Sequence, residues 1–522
     1  MNGLRCSSLL MLLLVFGVLL GSTAGAQSGA IRIGSDLQLF VDDYLIAEFV
    51  GGAQLQLHHP VAQEVVFTTG DHPWEGSSTA YGTVFQDGDL YRMYYRTHQF
   101  DMTFNIYPRF HTTESVYVYV ESTDGIHWTK PSLGLVEFDG SKDNNILWKG
   151  PQFAPFRDTN PNAAPEAQYK AVGGSPMYAY QSPDGLRWER MQEAPIITQG
   201  SFGSLNLVFW DDVRQVYRAY WRDRYLNVRT IMTAVSEDFL NWSEPRRIVY
   251  EAPDGLPAPN FDMYTQNVFP YHRNPSLLLG MPDLYMDQEW PEALAMDVDP
   301  GLAMNDPTYD PQEREWLKMR MHRSAAAVRN PLFMSSRDGE TFFRYNEAFL
   351  RPGPEQRAAW GYYGSGAFWG IVETESTSVP GYRELSLYTV ESFQYGRHAN
   401  IRRHTIRLDG FVSVNAPFRG GEIITEPIMF DGNYLVINFA TSAHGSVRVE
   451  MLDERGQPIP NLTLAHSPLI RGDHTERVVR WRDPQGGRER TDDLSHLAGR
   501  PIRIRFVLED ADLFSFQFRA RN

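Results

Sequence analysis

The sequence predicts an all-β protein, a five-bladed β-propeller followed by a C-terminal β-sandwich. Three observations carry that expectation. A pattern of serine, acid, glycine and aromatic recurs as Ser122-Thr-Asp124-Gly125-Ile-His-Trp128 and Ser182-Pro-Asp184-Gly185-Leu-Arg-Trp188. It returns with changes as Ser236-Glu-Asp238-Phe-Leu-Asn-Trp242 and Ser336-Arg-Asp338-Gly339-Glu-Thr-Phe342. The first three copies start 60 and 54 residues apart, a period that suits four-stranded blades with generous loops. Helical periodicity is scarce throughout.

Each copy reads as a turn at the outer edge of a small sheet. Asp-Gly supplies the positive-φ turn, the serine bonds the turn backbone, and the aromatic packs the returning chain. These aspartates are therefore structural. The last gap, from Ser236 to Ser336, is 100 residues, and a Met-, Asp- and Pro-rich segment at 283–327 accounts for the excess as an insertion, a candidate rim or lid.

In chain order, residues 1–26 combine Arg5, an apolar run from Leu9 to Leu20 and an Ala24-Gly25-Ala26 cleavage site, the features of a secretory signal peptide. The mature chain then begins near Gln27 and is secreted or periplasmic. The propeller is expected over 27–408, with the run Leu37 to Ile46 closing the ring. Blade one pairs Tyr81 to Phe85 with Leu90 to Arg96 across Asp87-Gly88. Blade two starts from Tyr169 to Gly173, blade three from Leu205 to Trp210, blade four from Gln266 to Tyr271, and blade five from Gly364 to Glu373. After Leu408 the texture changes to strictly alternating strands such as Arg503 to Leu508, which places the sandwich at 409–522.

Composition narrows the function. The 522 residues are 42% hydrophobic and 13% aromatic, ample for sizeable cores. The only cysteine, Cys6, lies in the signal segment, so the mature chain holds no disulfide. Outside that segment no apolar run is long enough to span a membrane, so no membrane insertion is expected. A net charge of −16 argues against nucleic acid, which needs a basic stripe. Nearly all the positive charge is arginine, suited to clamping a carboxylate or sulfate. The histidines lack metal-ligand spacing, no cofactor motif is present, and an axial calcium ion has no assignable ligands.

First strands of propeller blades converge on the axis, so functional side chains are sought where those strands begin. The candidates are Trp74 and Glu75 in blade one, Asp158 and Asn160 in blade two, and Asn206 in blade three. Blade four offers Asp262, Tyr264 and Asn267, and blade five offers Trp360 to Gly366 with Glu384. Arg96 and Arg222 end strands at equivalent places in blades one and three and suit a substrate carboxylate or sulfate. Acids with Trp and Tyr around one pocket match glycoside cleavage, in which one carboxyl protonates the leaving oxygen and another attacks or activates water.

The turns, the Phe156-Arg157-Asp158 element and the C-terminal sandwich resemble the five-bladed propeller glycoside hydrolases of the clans around families 32 and 43. Leu39 to Ile46, Pro73-Trp74-Glu75, Asp158 to Pro161 and Asp510 to Phe516 are similar to secreted bacterial proteins of the family-32-like kind. The resemblance implies a carbohydrate substrate. It also makes Asp158 the acid that stabilises the transition state, since Arg157-Asp158 matches the family's Arg-Asp-Pro element apart from the proline. The family's blade-one Trp-x-Asn-Asp-Pro nucleophile element is absent, with Trp74-Glu75 nearest by position. Its blade-three Glu-Cys pair is absent as well, Ser204-Leu205-Asn206 holding no acid, which leaves Asp262 or Glu384 to supply the proton. Glu75, Asp158 and Asp262 are thus the catalytic candidates; the alternative is a carbohydrate-binding propeller without catalysis.

Overall fold

The computed structural model describes residues 29–76, 78–98, 115–150, 153–203, 205–253, 255–256, 258–286, 328–351, 366–391, 399–482 and 490–521. The signal segment, Ser204, most of 283–327 and Trp360 with its neighbours to 365 lie outside them. The chain is all-β, a propeller followed by a sandwich.

Among the described residues five antiparallel sheets succeed one another as blades. The first joins Ser78–Asp87, Leu90–His98, Val116–Ser122 and Ile146–Lys149; the second joins Phe153–Arg157, Tyr169–Gly173, Tyr178–Ser182 and Glu189–Arg190. The third holds Leu207–Asp211, Val216–Tyr225, Val228–Ser236 and Arg246–Arg247. The fourth holds Val268–Tyr271, Asn274–Gly280, Met334–Ser336 and Thr341–Arg344, with Val249–Glu251 added in parallel outside. In the fifth, Gly366–Ala367 and Val372–Glu375 form an interrupted first strand against Arg383–Glu391, followed by Asn400–Arg407 and Val61–Thr68.

Around the ring of first strands, those of blades one to four touch in succession and that of blade five touches that of blade one. Side chains tie its last links: Asn267 donates to the Ala367 carbonyl at 2.9 Å and Trp369 to the Val268 carbonyl at 2.8 Å. The ring closes by Val61–Thr68 pairing with Asn400–Arg407, not by the run Leu37 to Ile46. That run lies between two cores, which its alternation serves: Leu39 and Val41 join the propeller core, and Phe40 packs on Phe506 and Phe516 in the sandwich. Gln38–Leu39 pairs with Ser515 and Phe516, while Ile31–Gly34, Ile46–Gly51 and Gln54–Leu57 pair with strands from the 412–430 region. The N-terminal stretch therefore completes the C-terminal sheet.

The sandwich layers share strands. Tyr434–Asp453 and Ile502–Arg519 run unbroken and pair along their length, with a register shift between Thr441 and Ser446. Gly445 permits that bend, because a Cβ there would lie 2.2 Å from the Asp510 carbonyl oxygen.

The repeated turns form as read. Ser122 Oγ accepts the Gly125 N–H at 2.9 Å, and Asp124 Oδ1 accepts those of Ile126 and His127 at 2.7 and 2.8 Å. Trp128 Nε1 donates back to the Gly125 carbonyl. The glycine has φ 75°, and Phe239, replacing it in the third copy, adopts 71°. The turns also lock neighbouring blades together. Tyr94 donates to the Gly185 carbonyl at 3.2 Å, Tyr220 to that of Gly339 at 2.8 Å, and Tyr388 to that of Gly125.

These bonds make an acid-stability prediction. Partial burial pushes the Asp124, Asp184, Asp238 and Asp338 carboxyls up, but hydrogen bonds outweigh it and hold them below the usual range, Asp238 at about 2. The His127 ring and then backbone N–H groups do so for Asp124, and backbone N–H groups foremost for the other three. A carboxyl depressed in the folded state contributes stability that is present above its unfolded pKa and lost as pH falls through the folded one. The melting temperature is expected to drop as pH falls below about 4, and Asp124→Asn with Asp184→Asn to flatten that drop. An acid limb unchanged in the double variant rules this account out.

Candidate functional site

The propeller axis has two mouths. At the upper mouth the first strands begin; at the lower one they end.

Asp158 sits at the lower mouth, which corrects the sequence expectation. Phe153–Arg157 is blade two's first strand, so Asp158 follows it where a place before that strand was expected. Pro155 disguised the strand as a loop. It is tolerated because a first strand is a sheet edge whose inner side needs no N–H. Asp158 is buried, bonded by Lys170 Nζ, by the Tyr217 hydroxyl at 2.7 Å and by the Asn160 N–H at 3.0 Å. Lys170 lies on blade two's second strand, at the register that Arg92 and Arg218 hold in blades one and three. Asn160 belongs to the same cluster through Tyr217, at 3.0 Å.

A cavity of about 790 Å³ opens at this mouth, walled by Val84, Phe156, Phe209, Phe269 and Trp369, with Asp158, Asp212 and Glu373 at its rim. Its acids are already engaged. Glu373 is held at about 2 by His272 and then by Arg383 and Arg273. Partial burial raises Asp212, whose carboxylate accepts from Thr159 at 3.2 Å.

Glu75 and Glu384 are likewise internal. Glu75, fully buried, accepts from Lys130 at 2.8 Å, Tyr95 at 2.9 Å and the Gly70 N–H at 3.0 Å. Glu384 pairs at 3.0 Å with Arg403, which also holds Glu64. Trp74 stacks on His72 at 4.5 Å and donates to Asn145 at 2.7 Å, so it packs blade one. Asn206 donates to the Gly174 carbonyl at 3.4 Å, a tie between blades like that of Asn267. The three catalytic candidates thus occupy three separate places.

The structure does bring Arg96, Arg222, Asp262 and Tyr264 together at the upper mouth. Their platform is a three-stranded sheet of Asp262–Met263, Asp283–Met286 and Val328–Pro331. Asp262 pairs with Tyr285, Tyr285 with Arg329, and the Tyr264 N–H donates to the Asp283 carbonyl at 2.7 Å. Directly paired residues share a sheet face. Asp262, Tyr264, Asp283, Tyr285 and Arg329 therefore line up on one side, and Tyr264 stacks on Tyr285 at 5.9 Å.

Tyr81 reaches this face from blade one, its hydroxyl 2.8 Å from that of Tyr264. It does so from a bulge with φ 57°, made possible by Gly82, where a Cβ would lie 2.2 Å from the Phe368 ring. Four guanidiniums surround the phenols. Arg96 stands 4.6 Å over Tyr81; Arg222, Arg329 and Arg229 stand 5.1, 5.3 and 6.0 Å from the centre of Tyr264.

The two carboxyls differ. Asp262 is partly exposed and accepts the Arg229 N–H at 2.7 Å and its guanidinium at 3.3 Å. Asp283 is fully buried, 3.1 Å from Arg329. Burial raises its pKa to about 6, against the pull of Arg329 and Thr265. Asp283, Arg229 and Arg329 escaped the sequence reading because they meet only through cross-strand register. Among the described residues no group of three His, Cys, Asp or Glu side chains is placed to hold a metal ion, and no helix is long and apolar enough to cross a membrane.

No protein-family model matches the chain, and no curated protein matches it. Solved structures align with it at low similarity. An N-acetylgalactosamine deacetylase from F. plautii in complex with blood group B trisaccharide has 14% identity over 67% of this chain and 96% of its own, with a TM-score of 0.39. A β-1,2-mannobiose phosphorylase from Listeria innocua has 11% identity over 66% and 96%, with a TM-score of 0.39. A glycosyl hydrolase from Bacteroides ovatus has 14% identity over 67% and 94%, with a TM-score of 0.37. At such scores the alignments carry no argument, and the fold rests on the strand pairing above.

Proposed function

We propose that the protein is an exported carbohydrate-active enzyme of the glycosidase type whose reaction centre is the upper mouth. One observation carries this reading: a single sheet face holds a carboxyl whose proton affinity burial has raised, Asp283, beside a partly exposed carboxylate, Asp262. Carboxyls in unlike environments divide the labour of glycoside cleavage. In this reading Asp283 holds the proton delivered to the leaving oxygen. Asp262 acts on the sugar or on water, and Tyr264 and Tyr81 contribute ring and hydroxyl contacts.

A second reading keeps the sugar and discards the reaction. It is favoured by the internal bonding of Glu75, Asp158 and Glu384, which leaves those acids to architecture. Reducing-sugar release from a panel of plant and marine glycans separates the two. Wild type is expected to release product and Asp262→Asn to lose at least about 100-fold in rate. Glycan binding without release by wild type sinks the hydrolase and supports the binding propeller.

A further inference from the structure

Arg96 is the unusual member of the upper mouth. It is half-buried on blade one; among the described residues it makes no ion pair, and its guanidinium lies over the face of Tyr81. Its Nε is buried without a hydrogen-bond acceptor. Neither neighbouring phenol compensates the charge, because burial pushes Tyr81 well up and Tyr117 to about 12, so both stay neutral. A partly desolvated guanidinium without an anion is costly, and such a group is retained where an anion arrives from outside.

Two glycines from different blades point the same way. A Cβ at Gly203 would lie 1.6 Å from Arg222 Nη2, and one at Gly366 would lie 2.6 Å from Arg329 Nη2. Backbone has been kept bare where these guanidiniums lie. The chain as a whole carries a net charge of −16, so the arginine grouping runs against the background and disfavours long polyanions.

We propose that the upper mouth recognises a sugar carrying a single anionic group, a carboxylate or a sulfate ester, which Arg96 holds together with Arg222. This rests on the upper mouth being a carbohydrate site, and it names the substrate class. The planar guanidinium donates paired N–H bonds that match two oxygens of either anion, which a neutral hydroxymethyl group does not offer.

The test is calorimetric titration of the full mature chain with glucuronic acid, its neutral methyl ester, glucose 6-sulfate and glucose. At least one anionic probe is expected to bind about tenfold or more tightly than its neutral counterpart. That margin should shrink as salt is raised, because the mouth is open to screening. A margin for glucuronate alone assigns the carboxylate, and one for the sulfate alone assigns the ester. Arg96→Gln is expected to abolish the margin. Should that variant fail to fold by circular dichroism, Gly203→Ala, which displaces Arg222, and the salt series decide instead. Equal affinity for charged and neutral probes, a margin indifferent to salt, or no binding of either anionic probe overturns the proposal. Binding and turnover fail separately: an anionic preference without product release from any glycan sinks the hydrolase alone, and release from neutral glycans without a charge preference sinks this inference alone.

Discussion

Asp283→Asn is expected to cut the rate of glycan cleavage by about 100- to 10,000-fold, the range associated with removing a general acid. The residue is fully buried, and burial holds its proton up to about 6 against Arg329 and Thr265. Activity in wild type should accordingly be highest below that value and fall as pH rises through it, when the carboxyl loses the proton it is meant to deliver. The variant's residual activity should lack that limb.

A second readout follows from the same shift. A pKa raised in the folded state contributes stability that is fully present below the unfolded value and is lost as pH rises through the folded one. Taking the unfolded value at 3.8, stability should decline between about pH 4 and pH 6 by roughly 3 kcal/mol from this group. Asp283→Asn should remove that slope. Wild-type activity flat from pH 5 to about 8, or a variant as active as wild type, would eliminate Asp283 as the acid. Loss of activity with the pH slope of stability unchanged would mean that the proton sits elsewhere.

What the sequence made legible was local. The repeated turns depend on residues within one short span: serine, aspartate and a positive-φ position make their own hydrogen bonds, and the aromatic returns onto the glycine carbonyl. The turn-capping tyrosines were not legible, since Tyr388 and Gly125 lie at opposite ends of the propeller segment. Blade two was misplaced because Pro155 reads as a break, although an inner edge tolerates it. Ring closure was assigned to Leu37 to Ile46 because apolar alternation reports burial without saying in which core.

The site divides along the same line. Arg96 and Arg222 were found from strand-end equivalence between blades, a signal that survives in one dimension. Asp283 and Arg329 face Tyr264 and Tyr285 only through a sheet whose strands are separated by a long insertion, so no spacing rule reaches them. Glu75 and Asp158 stand beside aromatic or family-like residues in the sequence, whereas side chains that bond them, Lys130 and Tyr217, come from distant turns and strands.

Glu75 provides the opposing prediction, an acid whose loss harms the fold. Its carboxylate is fully buried and satisfied by the Lys130 ammonium, the Tyr95 hydroxyl and the Gly70 N–H. Glu75→Ala leaves the Lys130 ammonium, itself only 14% exposed, with the largely exposed Asp71 carboxylate at 3.1 Å as its remaining counter-charge, and removes the acceptor of two further donors. Breaking a buried pair from one side costs about 3 to 5 kcal/mol, far more than the pair contributes relative to an apolar replacement. The double variant Glu75→Leu with Lys130→Met should recover much of that loss, because no uncompensated charge remains. A catalytic Glu75 makes the reverse prediction: both variants would be inactive at every temperature, and the double variant would be no better than the single. Urea unfolding together with activity measured well below the melting temperature separates the cases. Restored stability with restored turnover in the double variant identifies Glu75 as the post on which blade one is hung, whereas restored stability without turnover returns it to the reaction centre.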